Sequence, residues 1–289
     1  MNKQITIVIL LFEENISTVL ECLKSIKDFK IIIVDNAGDQ TKKKEITSRF
    51  NIYKYIVNES NIGFSKGNNL GIKVCDTEYI LILNPDCMIS KESVQKLKVA
   101  YDSYENCFMV SPTFKNKKDE IMFNASSFPE INSEQKILNI SGDTCCQAVL
   151  GAAMFCKTSE LKNIGMFDEN FFIFYEDFDL CRRIRKLNKS IIQIKNADAY
   201  HRHGEGKSIN NSFKRTFIVN YNMAYSELYY YFKINNHNQI FMKLKSKIPS
   251  YLFKTLINLT FFKLNKSIFY LSKIIAFFKF KNFIKNKIN

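Results

Sequence analysis

Short apolar runs alternate with amphipathic stretches through the first hundred residues. Residues 5–12, 31–34, 53–57 and 79–83 are each too short for a buried helix and predict strands. Between the first two, Val19, Leu20, Leu23 and Ile26 recur at helical spacing, with Ser17 placed to cap that helix. Two more helical segments are predicted near 41–50 and 65–75. Continuous apolar strands separated by helices predict an α/β fold whose mostly parallel sheet is covered on both faces. Ligands of such sheets bind at the carboxyl ends of the strands. The residues leaving those ends, Asp35-Asn36, Asn58 and Asn84-Pro85-Asp86, are all polar and are predicted to gather along one edge.

The pattern is coarser from 105 to 227, with strands predicted at 108–111, 148–156 and 191–194 and a helix at 177–187. No internal repeat and no linker rich in Pro, Gly or Ser separates this stretch from the first 104 residues, so 1–104 and 105–227 read as two halves of one domain. A helical tail, 228–289, follows. Within it, residues 248–288 interleave Phe, Ile, Leu and Tyr with lysines, and the longest uncharged run, 255–262, is well short of the ~18–20 residues that span a bilayer. On a helix, Lys263, Lys266 and Lys273 would share one face, with Lys281 and Lys285 close to it. That make-up predicts a helix lying in a membrane interface, lysines towards anionic headgroups. The competing expectation is a helical subdomain that docks its apolar face on the body.

Charge sharpens this division. The chain of 289 residues carries 42 Lys and Arg against 28 Asp and Glu, a net charge of +14, which invites a nucleic-acid reading. Beyond Glu227, however, there are twelve lysines and no Arg, Asp or Glu, which leaves the body at 30 basic against 28 acidic residues. A nearly neutral body, with a tail that lacks arginine to fork onto phosphates, argues against nucleic acid. Eight cysteines form no CxxC pair and sit mostly in apolar stretches, the pattern of reduced, buried thiols. The opening apolar run lacks the length and small-residue exit of a signal peptide, so a cytoplasmic protein is expected.

Candidate chemistry concentrates in a few places. Asp35 could hold a base or ribose, or simply a turn. Asp86, on a rigid Asn-Pro exit from a buried strand, can coordinate a divalent cation on nucleotide phosphates. Asn61-Ile-Gly63-Phe-Ser-Lys-Gly67-Asn-Asn-Leu-Gly71 spends three of nine glycines in nine residues, which permits close backbone approach where a loop enters a helix. Asp168, Glu169, Glu176, Asp177 and Asp179 fall within twelve residues among Phe and Tyr. Apolar surroundings there raise a carboxylate's pKa and favour a general base, while Arg182 or Arg183 can keep partners ionised. Finally, His201-Arg-His203-Gly-Glu-Gly206-Lys-Ser208 holds two of three histidines and can complete a metal site, contact phosphate, or lie on a surface loop.

Taken together and in order, these segments resemble glycosyltransferase family 2, and within it the rhamnosyltransferase-like bacterial enzymes of surface-polysaccharide synthesis. The resemblance rests on Ile33-Val-Asp35-Asn36, Asn61-x-Gly63-Phe-Ser-x-Gly67-x-Asn69-x-Gly71, Leu83-Asn84-Pro85-Asp86, Gly151-Ala-Ala-Met154, Gly165-x-Phe167-Asp168-Glu169-x-Phe171-Phe172, Glu176-Asp177-x-Asp179-Leu180-Cys181-x-Arg183 and His203-x-x-Gly206-x-Ser208. It covers about 5–210 and leaves the last forty residues outside.

The resemblance implies a GT-A fold and inverting transfer of a sugar from a nucleotide donor, with dTDP-rhamnose the first expectation and UDP-hexoses or galactofuranose behind it. By the same resemblance Asp35, Asn36, Asn61, Gly63, Gly67, Asn84 and Asp86 bind the donor. Asp86 and His203 hold Mg²⁺ or Mn²⁺, Asp177 beside Glu176 is the base, and Asp168, Glu169 and Arg183 face a saccharide acceptor. The acceptor is expected to be lipid-linked, which would place the protein on the inner face of the membrane. Phe12-Glu13 stand where the family usually has Tyr-Asn. A rival expectation is a non-catalytic nucleotide- or glycan-binding protein on the same fold.

Overall fold

A computed structural model describes residues 4–116, 118–122, 125–130, 141–202, 212–235 and 237–288. In chain order, the first half comprises β1 (Ile5–Leu11), α1 (Ile16–Ile26), β2 (Lys30–Asp35), α2 (Gln40–Arg49), β3 (Lys54–Val57), α3 (Phe64–Val74), β4 (Tyr79–Leu83), β5 (Cys87–Ile89) and α4 (Lys91–Ser103). There follow β6 (Cys107–Lys115), β7 (Ala125–Ser126), β8 (Thr144–Cys145), β9 (Ala148–Val149), β10 (Ala153–Lys157), α5 (Thr158–Asn163), α6 (Glu176–Lys186) and β11 (Ser190–His201). Three long helices close the chain: α7 (Ser212–Lys233), α8 (His237–Thr260) and α9 (Leu264–Ile288).

The main sheet runs β3-β2-β1-β4-β10-β6-β11-β5. Its first four strands are parallel, as their continuous apolar runs require: β1, β2 and β4 bury nearly every residue. β10 enters antiparallel to both β4 and β6, and β6 runs parallel to β11. The carboxyl ends of β1, β2, β3, β4, β6 and β11 therefore share one edge with the amino end of β10. Helix α3 lies against β1 and β2 through a glycine face. A Cβ on Gly71 would sit 2.4 Å from Val8 Cγ1, and one on Gly67 2.4 Å from Leu10 Cδ1.

Several expectations change in detail. Helix α1 starts from Asn15, which makes no side-chain cap bond, so Ser17 lies inside the helix and does not cap it. The run 148–156 is two strands, β9 and β10, broken at Gly151. Helix α4 escaped the sequence reading, although Ser90 caps it through the Ser93 amide and Val94, Leu97 and Tyr101 form its buried stripe. Seven of the eight cysteines are buried and Cys145 is exposed.

The chain divides into two compact units, one of Met1–Asn170 with Glu176–Ser208, the other of Phe171–Tyr175 with Ile209–Asn289. In the second, α9 packs along α7 and α8 around Ile248, Ile274 and Phe277, with Tyr230 and Phe280 fully buried. Ser267 Oγ donates to Thr255 O at 2.8 Å and ties α9 to α8. The expected single face of Lys263, Lys266 and Lys273 does not form, because Lys263 lies in the turn between two helices.

Candidate active site

The edge begins where β2 and β3 end. Asp35 is fully buried; its Oδ1 accepts from the Ala37 and Gly38 amides at 2.8 and 3.1 Å, and its Oδ2 from the Tyr55 hydroxyl at 3.0 Å. Burial first, and Asp35 second, hold the Tyr55 phenol well above its ordinary pKa, so it stays a donor. Asn36 accepts from Asn58 Nδ2 at 2.7 Å and donates to Asn61 Oδ1 at 3.2 Å and Gly63 O at 3.1 Å. Asn61 Oδ1 also takes the Gly63 amide at 2.9 Å, and Gly63 adopts a φ of 90° that favours glycine. These residues form one hydrogen-bonded rim joining β2, β3 and α3. Gly67 faces β1, so its missing side chain serves the approach of α3 to the sheet, not the approach of a ligand.

At the end of β4, Asn84 donates its amide to Ala152 O at 2.9 Å, and Pro85 delivers Asp86 to the start of β5. β5 pairs antiparallel with β11, and Cys87 is the register partner of His201. That pairing sets His201 Nε2 3.3 Å from Asp86 Oδ1. Asp86, Cys87 and His201 each offer one ligand atom, all within 4.8 Å of one another. The site fits a divalent cation through one carboxylate and one imidazole. Burial and the nearby Asp86 push the Cys87 thiol well above its ordinary range, which keeps it protonated and a weak ligand. His203, expected to hold the metal, lies outside the described residues. His201 was in the same motif, but only the β5–β11 register reveals that it meets Asp86.

The third group is built on the first turn of α6. Asp177 Oδ1 accepts from the Phe178 amide at 2.8 Å and Oδ2 from the Gly151 amide at 3.2 Å. Gly151 Cα lies beside Asp177 and the Phe64 ring, where an added Cβ would be in ordinary contact at 3.6 Å with each. Burial raises the Asp177 pKa, and the two amides oppose the rise by stabilising its anion. Glu176 is buried with Oε2 unpartnered; desolvation, then the Asp177 charge, raises its pKa much further. Burial therefore raises both carboxyls, and the charge of one disfavours ionisation of the other. Just before it, Phe174 and Tyr175 both adopt left-handed backbone conformations, with φ of 74° and 66°. Such conformations are costly for side chains of this size and gather at functional sites.

The residues expected at the acceptor are engaged within the protein. Asp168 Oδ1 accepts from the Asn170 amide and side chain at 3.0 and 2.7 Å. Glu169 Oε1 accepts from Asn69 Nδ2 at 3.1 Å and Lys73 Nζ at 3.4 Å, and the Asn69 bond holds its pKa low. Arg183 binds Asp179 Oδ2 at 2.9 Å and the carbonyls of Ile164 and Met166, which makes it a strut of the 164–166 turn. The buried Asn69, part of the motif that carries the resemblance but given no role there, fixes this loop by exchanging two hydrogen bonds with the Phe167 backbone at 2.9 and 3.1 Å.

A mostly parallel sheet with an asparagine rim, the Asp86–His201 pair and a buried carboxylate along one edge fits the class of GT-A folds. Residues 6–160 match the family described as Glycosyl transferase family 2, and the chain belongs to that family. It is 30% identical over 200 residues to the low-salt glycan biosynthesis hexosyltransferase Agl10 of Haloferax volcanii, a match spanning 65% of this chain and 63% of that relative. Over 210 residues it is 25% identical to the rhamnosyltransferase WbbL of Escherichia coli K12, across 65% of this chain and 78% of the relative. The fold resembles the mannosyltransferase PcManGT of Pyrobaculum calidifontis, solved with GDP-Man and Mn²⁺, at a TM-score of 0.53 and 10% identity, covering 96% of this chain and 86% of that one. The fold is GT-A.

Proposed function

We propose that this protein moves a hexosyl group, rhamnose from dTDP-rhamnose first among the donors, from a nucleotide sugar to a saccharide acceptor with inversion. One observation carries the reading: a continuous backbone path links base to cation site. Gly151 holds Asp177, the adjacent Ala152 accepts the Asn84 amide, and Asn84 leads through Pro85 to Asp86. The two chemical groups of an inverting transfer are thereby fixed to one another.

In this reading the Asn36–Asn58–Asn61 rim and Asn84 orient the nucleotide, while Asp86 and His201 hold a cation. That cation, when bound, neutralises charge growing on the departing diphosphate. Asp177 takes the acceptor hydroxyl proton as the new glycosidic bond forms and the sugar–phosphate bond breaks. Glu176, neutral, leaves one carboxylate charge where two would repel. The mixed oxygen and nitrogen ligands favour Mn²⁺ over Mg²⁺, and the mannosyltransferase neighbour was solved with Mn²⁺. The names of the two relatives support hexose or rhamnose as the sugar. Twelve lysines and fifteen aromatics after Glu227 support peripheral binding at the cytoplasmic face of a membrane, where a lipid-linked acceptor resides.

The test is nucleoside diphosphate release across a panel of dTDP-, UDP- and GDP-sugars. One donor is expected to turn over only with a divalent cation, and Asp86→Ala is expected to weaken its affinity. Full activity in excess EDTA would overturn the cation assignment, and turnover of none would overturn the transferase reading.

A further inference from the structure

We propose that the α8–α9 turn is a wedge that inserts into an anionic lipid surface, a proposal that rests on the membrane association argued above. The packing of this unit takes most of the apolar face that a helix lying flat would present. Ile274, Ala276, Phe277 and Phe280 of α9 are buried, so the larger part of its apolar face is spent inside the protein, while Leu271, Ile275 and Phe278 stay exposed. The denser exposed apolar load is at the turn before α9. Leu252, Phe253, Leu256, Ile257, Leu259, Phe261, Phe262 and Leu264 are all exposed, and they cluster about the end of α8 and the turn beyond it. Contiguous exposure on this scale marks an interaction surface.

The turn itself carries a second, independent sign. Lys263 donates its amide to Asn258 O and Phe262 to Leu259 O, at 2.8 and 3.0 Å, a paired closure that places Phe262 at the left-handed position. Phe262 has a φ of 54° and its side chain is 88% exposed. Helices closed this way usually have glycine there, because a side chain is strained. Phenylalanine is the wrong residue for the turn and the wrong residue for water. Both costs are explained if its ring enters a bilayer.

Charge selects the occupant. Lys254, Lys263 and Lys266 are exposed among these apolar residues, and residues 228–289 contain no acidic side chain. A second copy of the chain would oppose lysines to lysines, whereas anionic headgroups complement them.

The experiment compares full-length wild type with Phe262→Gly by co-sedimentation with vesicles of phosphatidylcholine alone and with phosphatidylglycerol. Glycine relieves the turn, so the variant should melt at the same temperature or higher and keep its donor hydrolysis. Its partition onto anionic vesicles should fall roughly ten- to a hundredfold, the burial value of one phenylalanine side chain. Lys263→Glu with Lys266→Glu should lose binding on anionic vesicles while neutral ones are unaffected. Wild type that ignores anionic vesicles would sink the membrane reading itself. Wild type that binds, with Phe262→Gly binding equally well, would sink the wedge alone. So would self-association of the wild type that Phe262→Gly abolishes without lipid, since the occupant would then be a second copy.

Discussion

At Glu176 the folded protein keeps a proton that an unfolded chain releases in the ordinary glutamate range, because burial and Asp177 disfavour a second charge. The folded state then binds more protons, and stability falls as pH rises through the raised folded pKa, having been fully present below the unfolded value. Glu176→Gln supplies a neutral side chain of the same shape. Its melting temperature should match wild type at acid pH and decline less than wild type as pH rises, the remaining decline being that of Asp177, a comparison made by a thermal melt series across pH. A parallel decline in both would show that Glu176 is not the proton store. His201→Ala should remove the Mn²⁺ dependence of donor affinity, read by titration calorimetry with and without the metal, and an unchanged dependence would return the role to residues outside the described chain. The residue types here were legible: carboxylates among aromatics, histidines beside glycine. Their partners were not, since the hydrogen bonds of Arg183 with Ile164 and Met166 depend on loop geometry that no spacing records.

Elements explain why strands were read well and junctions poorly. The apolar runs of β1, β2 and β4 have to be buried on both faces, and that requirement is visible in any linear sequence. The break between β9 and β10 is set by Gly151 turning to meet Asp177, a contact from 26 residues further on. The glycines of α3 looked like a ligand-approach loop because close approach to a ligand and close approach to a strand require the same missing side chain. Packing decides for Gly71: Gly71→Ala drives a methyl into Val8, and overpacking of this kind costs about 1–3 kcal/mol. Chemical denaturation should show that loss, and adding Val8→Ala should recover part of it. If Gly71→Ala is as stable as wild type, α3 does not lie so close to β1.

For the whole molecule, the tail read as one interfacial helix is a folded helical unit, and lysine spacing alone could not distinguish the two because it is silent on the turn at 261–263. Deleting 246–289 would strip α7 of its α9 partner, so the truncated chain should lose helicity or aggregate; a cooperative melt like that of the full chain would show the tail to be an independent appendage. The central claim is that a nucleotide sugar bound at this edge is attacked by an acceptor whose proton goes to Asp177. Asp177→Asn keeps the shape and removes the proton acceptor. The measurement is its single-turnover transfer rate on saturating donor, beside its donor affinity. Transfer should fall by at least ~10²-fold, the scale of a positioned base, with donor affinity near that of wild type. Transfer at the wild-type rate would contradict the account.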